Sequence, residues 1–335
     1  MDQILCNFNI IVIILILGAS LFVLSKAADL FVDNAVKLSE MLGLSEVVIG
    51  ATIVSLGTTL PELSTSVISA LHGNGGFAIG NAVGSVITNT SLILGIGALY
   101  GKIKVDKKTS HKITILMIAA VILVISTIPY KLTHTNGLIP QWLGFLFVLA
   151  IPVYAYYLVK QEKKEKVMHA MESREQVKVN GSLLVILLSV FGAALAIAFS
   201  ASFLVASAEL LAERIGIPDV IISSTLVAFG TSVPELSTCI SASKNKHGDL
   251  AIGNIIGANI LNILFVIGAS TALTKGGLSV GTEFYRIHFI ALAVILAVFS
   301  FFAYHKKINE LGKKEGILLI LFYSGYLAVN IISAK

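Results

Sequence analysis

Charged residues are scarce in this chain. Asp, Glu, Lys and Arg make up 13% of its 335 residues and apolar residues make up 56%, whereas a soluble domain carries about 25% charged residues. There are too few charges to cover a soluble core of this size. The composition therefore indicates a polytopic membrane protein.

Other absences exclude further classes of protein. With only two cysteines, Cys6 near the N-terminus and Cys239 inside an apolar segment, no disulfide framework is indicated. The net charge of +5 comes from short loops between apolar segments, which argues against nucleic acid as a partner. No HExxH motif occurs, which argues against a membrane-embedded metal hydrolase. The sequence indicates no enzymatic activity, no cofactor and no obligatory protein partner, and it leaves the lipid bilayer as the surrounding medium.

Long apolar runs are abundant. Runs of about 17 to 25 apolar residues predict ten membrane-spanning helices. Their centres lie near Leu17, Thr58, Asn89, Leu123, Phe147, Ala196, Thr231, Asn262, Val294 and Phe322. The first run has no preceding Lys or Arg and no cleavage signature, so we expect it to remain as a helix. We expect the first and sixth helices to continue through Asp29 and Ala208 and to slide across the others.

The loops predict the orientation in the cell membrane. Most of the 24 Lys and Arg residues fall in loops that share one face of the predicted bundle. The positive-inside rule therefore predicts that both termini lie outside and that the central loop is cytoplasmic.

An internal repeat organises the chain. A shift of 173 residues aligns the motif region 220–268 with the motif region 47–95. Each half then contains five predicted helices, and an odd number reverses the second copy in the membrane, as in inverted-repeat transporters. We predict an all-α polytopic fold of two inverted five-helix repeats, 1–160 and 181–335. The cytoplasmic segment 161–180 between them is a solvated linker or, alternatively, a regulatory or lipid-binding segment.

The first repeated motif is Gly57-Thr58-Thr59-Leu60-Pro61-Glu62, echoed by Gly230-Thr231-Ser232-Val233-Pro234-Glu235. Gly and Pro interrupt a helix and free backbone carbonyls. A carboxylate at membrane depth costs about 2.5 to 3.5 kcal/mol unless it faces water, an ion or a partner. The motif helices contain no Lys or Arg. The carboxylates of Glu62 and Glu235, with the hydroxyls of Thr58, Thr59, Thr231 and Ser232, are oxygen ligands of the kind that Na⁺ and Ca²⁺ prefer. The alternative is that Gly and Pro only kink packed helices and that the glutamates pair with hidden basic groups.

The second repeated motif runs from Gly80 to Asn89 and from Gly253 to Asn262. Ser85 and Asn89 are four residues apart and share a helical face. We predict that they offer oxygens toward Glu62, and that Asn262 does so toward Glu235. Alternatively, the motif glycines serve close helix packing and the asparagines bond across helices.

At these residues the sequence resembles the calcium/cation antiporter superfamily, and within it the sodium/calcium exchanger family of prokaryotic type. The likeness rests on GTTLPE with GNAVGSVITN and on GTSVPE with GNIIGANILN, and it extends over essentially the whole chain. The resemblance implies discontinuous motif helices at the midplane and exchange of Na⁺ for Ca²⁺ by alternating access. The ligands that it implies are Thr58, Thr59, Glu62, Ser85, Asn89, Thr231, Ser232, Glu235 and Asn262, with backbone carbonyls near Ser55, Thr58, Ala228 and Thr231.

Two residues depart from the family pattern. Ala258 stands where many relatives have a serine, and Asn262 stands where the potassium-dependent branch tends to have an aspartate. We therefore expect exchange without K⁺. Gly84 and Gly257 occupy the place of an acid in the proton-coupled branch. Antiport of Ca²⁺ or another divalent cation against H⁺ is the alternative, and a cation channel is a further one that the repeat favours less.

Overall fold

Helices make up almost all of the structure. The computed structural model describes residues 8–105, 107–128, 136–169, 182–215, 228–304 and 310–333. Its helices are α1 (Ile10–Leu42), α2 (Glu46–Thr58), α3 (Leu60–Leu71), α4 (Gly75–Tyr100), α5 (Lys107–Thr127), α6 (Gln141–His169), α7 (Leu183–Arg214), α8 (Ala228–Gly230), α9 (Val233–Lys244), α10 (Gly248–Leu273), α11 (Phe284–Tyr304) and α12 (Lys313–Ser333). The strands are β1 (Ile103–Lys104), β2 (Gly137–Ile139), β3 (Leu278–Val280) and β4 (Glu310–Leu311).

Most of these helices are long and apolar enough to cross a bilayer. Within the described ranges eight helices meet this requirement, and α2 with α3, bent by 46° at their junction, forms a ninth candidate. The prediction of an all-α, multi-pass membrane protein is confirmed. The helix predicted around Thr231 falls partly outside the described residues, which resume at Ala228, so the count of ten stays a prediction.

α4 and α10 occupy the centre of the bundle. In α10 89% of the most apolar stretch is buried and in α4 78%, against 22% in α1 and in α6. The second repeated motif therefore lies on the two helices that are most surrounded by protein. Helices at the periphery expose apolar side chains, as expected of surfaces that face lipid.

α1 and α7 are the long helices that the sequence predicts. They have 33 and 32 residues and continue through Asp29 and Ala208. α1 ends at Gly43, whose φ of 60° suits a residue without a β-carbon. The two helices pack against each other, and residues such as Phe31 and Ile197 place them in a hydrophobic cluster separate from the one around α5, α6 and α11.

The second half repeats the element bounds of the first. α9 begins and ends 173 residues after α3. The first part of α10 (Gly248–Leu261) follows the first part of α4 (Gly75–Thr88) at the same shift. A widened π-helical turn comes next in both helices, starting at Asn89 and at Asn262. The secondary structure thus repeats at the same 173-residue shift as the sequence. The inverted orientation of the two halves stays a prediction.

Two antiparallel strand pairs join the halves. In the first, Ile103 of β1 lies opposite Leu311 of β4, and in the second, Gly137 of β2 lies opposite Val280 of β3. Each pair takes one strand from each half. The sequence did not predict these strands, because two or three residues are too few to show an alternating pattern.

α2 and α10 cross at glycines. A β-carbon on Gly253 would lie 2.5 Å from the carbonyl oxygen of Val47, and one on Gly257 would lie 2.5 Å from the Cα atom of Ala51. Backbones approach this closely only where side chains are absent. Close packing therefore accounts for these two glycines of the second motif.

α6 continues into the predicted linker. It remains helical to His169, beyond the boundary predicted at residue 160. At this end Glu162 is buried and accepts a hydrogen bond from the Ser45 hydroxyl at 3.0 Å. Residues 170–180 of the predicted linker lie outside the described residues.

Candidate cation site

Both acidic motifs interrupt a helix. A break at Thr59 separates α2 from α3, and a break at Thr231 and Ser232 separates α8 from α9. Pro61 and Pro234 lie in the first turn of the helix that follows each break. Proline is tolerated there because the first turn has no intrahelical acceptor for its missing N–H group. The sequence correctly predicts where these helices are discontinuous.

The two motif glutamates lie just after the breaks. Glu62 and Glu235 occupy the first turns of α3 and α9, where the helix dipole favours negative charge. Both side chains are fully buried. Among the described residues, none forms a hydrogen bond to their carboxylate oxygens. The two carboxylates are close enough to interact electrostatically. Two buried like charges without partners are costly, so this arrangement is one that a bound cation stabilises.

Hydroxyl groups from the opposite half lie beside each glutamate. The Ser232 hydroxyl neighbours the Glu62 carboxylate, and the Thr58 hydroxyl neighbours the Glu235 carboxylate. Both pairs fall outside hydrogen-bond geometry, so the carboxylate oxygens remain free to face a ligand. The structure therefore brings the two motifs together as one site with contributions from both halves.

Two further predicted residues border this group. Ser85 on α4 is buried and accepts a hydrogen bond of 3.4 Å from the Ser232 hydroxyl. Thr59 is buried at the helix break and donates its hydroxyl proton to the Ser55 carbonyl at 2.7 Å. A hydroxyl that has donated its proton keeps its lone pairs for a cation. The Ser55 carbonyl, in contrast, is already an acceptor.

Asn89 and Asn262 start the π-helical turns of α4 and α10. Both are fully buried, and their amide groups find no hydrogen-bond partner among the described residues. The turn that starts at Asn262 packs against α3, which carries Glu62, and the turn that starts at Asn89 packs against α9, which carries Glu235. The sequence analysis instead predicts that each asparagine faces the glutamate of its own half. The role of the two amides as ligands stays a prediction.

Asn81 and Asn254 are the residues that the sequence analysis missed. The Thr231 hydroxyl donates to Asn81 Oδ1 at 3.1 Å, and the Thr58 hydroxyl donates to Asn254 Oδ1 at 3.3 Å. Asn81 also donates from Nδ2 to the Ser66 hydroxyl at 2.9 Å. The matched Gly-Asn pairs of the second motif were the available signal. Their contacts with the two threonines join opposite halves, which no local pattern reveals.

Ala258 is one of the two residues at which the sequence departs from the family pattern. It is fully buried on α10, at the position that Ser85 occupies on α4 by the 173-residue shift. Its methyl group supplies no oxygen. The second half therefore offers one hydroxyl fewer than the first at this level of the bundle.

The chain is similar throughout to proteins that exchange cations. The model of a family described as sodium/calcium exchanger protein matches it twice, at residues 12–160 and 184–332. The sodium/calcium exchanger MaX1 of Methanosarcina acetivorans is 31% identical, over 95% of this chain and 97% of that protein. The putative antiporter CaxA of Alkalimonas amylolytica is also 31% identical, over 91% and 94% of the two chains. Solved structures of the sodium-calcium exchanger NCX_Mj superpose with a TM-score of 0.79 at 26% identity, covering 96% of this chain and 99% of that one.

Proposed function

The chain belongs to the sodium/calcium exchanger protein family, and from this premise we propose that it exchanges Na⁺ for Ca²⁺ without K⁺, at the paired glutamates Glu62 and Glu235. It is a multi-pass membrane transporter for cations including Ca²⁺, not an enzyme. The transported ions are its substrates, and the mechanism uses no cofactor.

The observation that carries the proposal is the pair of buried carboxylates. Two negative charges from opposite halves balance one Ca²⁺, a hard cation that takes about six to eight oxygen ligands at roughly 2.3 to 2.6 Å. The described hydroxyls and amides around them supply neutral oxygens. The proposed ligands are Thr58, Thr59, Glu62, Ser85 and Asn89 from the first half and Thr231, Ser232, Glu235 and Asn262 from the second.

The neutral oxygens favour Na⁺ as the coupling ion. A proton needs only a carboxylate, whereas Na⁺ must replace its hydration shell by several oxygens. Buried Ser85 and Ser232, together with the amides of Asn89 and Asn262, offer such oxygens beside the carboxylates. Asn262 contributes an amide in place of a third carboxylate, which supports transport without K⁺.

Antiport against H⁺ is the second candidate. The observation in its favour is Ala258, fully buried where the first half has Ser85. A site with fewer neutral oxygens holds fewer Na⁺ ions, while its two carboxylates remain able to carry protons. Uptake of Ca²⁺ under separate Na⁺ and pH gradients distinguishes the two coupling ions.

Alternating access would come from α1 and α7. They pack on each other, in a hydrophobic cluster that also includes residues of α2, α9 and α10, and they carry none of the proposed ligands. The matched element bounds of the halves support an internal repeat. In the proposed arrangement the two five-helix repeats are inverted and the motif helices lie near the midplane, and the positive-inside rule puts the termini outside and residues 161–180 in the cytoplasm. An empty site keeps two uncompensated buried charges, each costing several kcal/mol. Only ion-loaded states would then change sides, which makes transport an obligatory exchange.

Uptake of radioactive Ca²⁺ into proteoliposomes tests the proposal. Vesicles are loaded with Na⁺ or with an inert organic cation, and K⁺ and pH gradients are varied separately. We expect uptake that requires internal Na⁺, ignores K⁺, and is lost in both Glu62→Gln and Glu235→Gln. Uptake driven by a pH gradient without Na⁺ would replace Na⁺ by H⁺ as the coupling ion. Uptake that needs no counter-ion would indicate a channel instead.

A further inference from the structure

An apolar cavity lies away from the cation site, between α11 and α12. It has a volume of about 470 Å³ and contains none of the proposed ligands. Its walls are formed by apolar side chains such as Ile290, Val294, Leu321 and Val329, with Arg286 at one end. We call this cavity the α11–α12 groove. Its lining is almost entirely apolar, so it is unsuited to a small cation.

The groove faces out of the bundle. Ile290 is 56% exposed, Leu321 61% and Val329 49%, and both helices are long and apolar enough to cross a membrane. Lipid chains rather than water therefore contact these residues. The lining stretch of α11 from Arg286 to Ile295 rises about 14 Å. This is close to half of a hydrocarbon core that is roughly 30 Å thick, so the groove matches the depth of one leaflet.

Arg286 places a positive charge at one end of the groove. It lies in the first turn of α11 and is exposed, and it forms no ion pair with any other described residue. The nearest acid along the chain, Glu283, has its carboxylate turned back against Gly281. A guanidinium group presents its donors in a fork that matches phosphate oxygens. A long side chain at this depth keeps its charge at the headgroup level while its stem covers apolar surface.

One polar contact fixes the wall of the groove near Arg286. His288 on α11 and the Tyr326 hydroxyl on α12 form a hydrogen bond, with 2.9 Å between Nδ1 and the hydroxyl oxygen, and Tyr326 lines the groove. The bond joins the two helices close to Arg286. This wall of the groove is therefore fixed by a specific contact rather than by loose packing alone.

We propose that the α11–α12 groove binds one anionic phospholipid. One acyl chain lies between the two helices, and the headgroup phosphate pairs with Arg286. A net negative headgroup is preferred over a zwitterionic one because the guanidinium charge has no other partner in the described structure. On the predicted orientation this lipid belongs to the outer leaflet, since Arg286 follows β3 on the face opposite the cytoplasmic loops.

Gly325 offers a way to fill the groove. It lines the cavity, and a β-carbon built on it meets no atom within 4 Å. Gly325→Leu would therefore place a side chain in acyl-chain space from a β-carbon that meets no other atom, and leucine is the better helix former. Gly18→Leu is the matched control, because Gly18 lies on an exposed face of α1 with equally free space.

Native mass spectrometry of the full chain, titrated with phosphatidylglycerol or phosphatidylcholine of identical acyl chains, tests the proposal. We expect one retained phosphatidylglycerol in preference to phosphatidylcholine. Arg286→Gln should weaken that preference about fivefold, the effect of one basic side chain at an anionic surface, and Lys275→Gln, an exposed cation outside the groove, should leave it unchanged. Gly325→Leu should reduce retention of both lipids, and Gly18→Leu should not.

Three results would overturn the proposal. One is equal retention of the two lipids by the wild type. Another is the same preference in Arg286→Gln as in the wild type. The third is a dimer that Gly325→Leu converts to monomer without any change in bound lipid, which would make the groove a contact between copies of the chain.

Discussion

The hydroxyl of Thr58 donates a hydrogen bond to Asn254, and 173 residues later in the chain the hydroxyl of Thr231 donates one to Asn81. Each bond joins a helix break in one half to a central helix in the other. The Thr58 proton is shared between Asn254 Oδ1 and the Ser55 carbonyl oxygen, each 3.3 Å away. Because these acceptors take the hydroxyl protons, each threonine oxygen directs its lone pairs away from the asparagine. The two asparagines therefore orient the hydroxyls of two proposed ligands, of which Thr58 lies beside Glu235.

Asn254→Ala should weaken Ca²⁺ binding more than it slows turnover. Losing one such hydrogen bond costs about 0.5 to 1.5 kcal/mol, so we expect the half-saturating Ca²⁺ concentration to rise roughly two- to tenfold. Asn81→Ala should behave in the same way. The measurement is Ca²⁺ uptake as a function of Ca²⁺ concentration in proteoliposomes. Asn330→Ala is the control, since Asn330 donates to the carbonyl of Tyr326 on its own helix and is not one of the proposed ligands. An unchanged half-saturating concentration in both site variants would contradict this role.

Replacing a site glutamate should stabilise the ion-free protein. Glu62→Gln and Glu235→Gln each remove a buried charge that lacks a hydrogen-bond partner in the described structure. We expect a higher unfolding temperature without Ca²⁺ and a gain of about 2 kcal/mol. The wild type should gain about 2.7 kcal/mol at a Ca²⁺ concentration 100 times its dissociation constant, and both variants should lose that gain.

Thermal unfolding in detergent, with and without Ca²⁺ and at alkaline pH, measures both effects. Glu283→Gln is the matched control, since Glu283 is exposed before α11 and should alter neither value. A destabilised ion-free Glu62→Gln that still responds to Ca²⁺ would argue against a shared carboxylate site.

Gly257→Ala should destabilise the crossing of α2 and α10. The added methyl group would lie 2.5 Å from Ala51 Cα and 2.6 Å from the Ser55 hydroxyl oxygen, so the helices must separate. Overpacking of this kind costs about 1 to 3 kcal/mol. Gly192→Ala is the comparison, because a β-carbon there meets nothing within 4 Å and helix propensity alone favours alanine. Thermal unfolding should show that Gly257→Ala is less stable than Gly192→Ala. Equal stability of the two variants would mean that α2 and α10 separate without cost.

Asp29 is more than an interfacial charge. The sequence suggests no partner for it, yet its carboxylate accepts a 2.6 Å hydrogen bond from the Ser241 hydroxyl, which joins α1 to α9. Hydrogen bonds to charged groups contribute about 1.5 to 3 kcal/mol. A double-mutant cycle of Asp29→Asn and Ser241→Ala, measured by unfolding free energy, should give a coupling near that range. Asp33→Asn, an exposed carboxylate on the same helix, should show no coupling with Ser241→Ala.

Local chemistry explains which parts of this molecule the sequence reveals. The helix breaks follow from Pro61 and Pro234, because a missing N–H group and a ring clash act within one turn. The burial of Glu62 and Glu235 follows from their place in apolar segments that contain no basic residue. These features need no knowledge of which helices are neighbours.

The remaining features depend on how distant segments meet. The acceptor role of Asn254 arises only because α10 crosses the end of α2, and the packing of Asn262 against the helix of Glu62 has the same origin. The π-helical turns at Asn89 and Asn262 have no known residue pattern. Periodicity identifies a buried face, but it does not identify the atom on the other side.

The two strand pairs bear on the order in which the molecule is assembled during translation. The ribosome completes β1 and β2 well before β3 and β4 exist, so the edges of the early strands must wait for partners made later. In the same way, Glu62 is synthesised before Ser232 and before the helix that carries Asn262. The first half therefore enters the bilayer before its partners exist, and segments of the second half complete both strand pairs and the surroundings of Glu62.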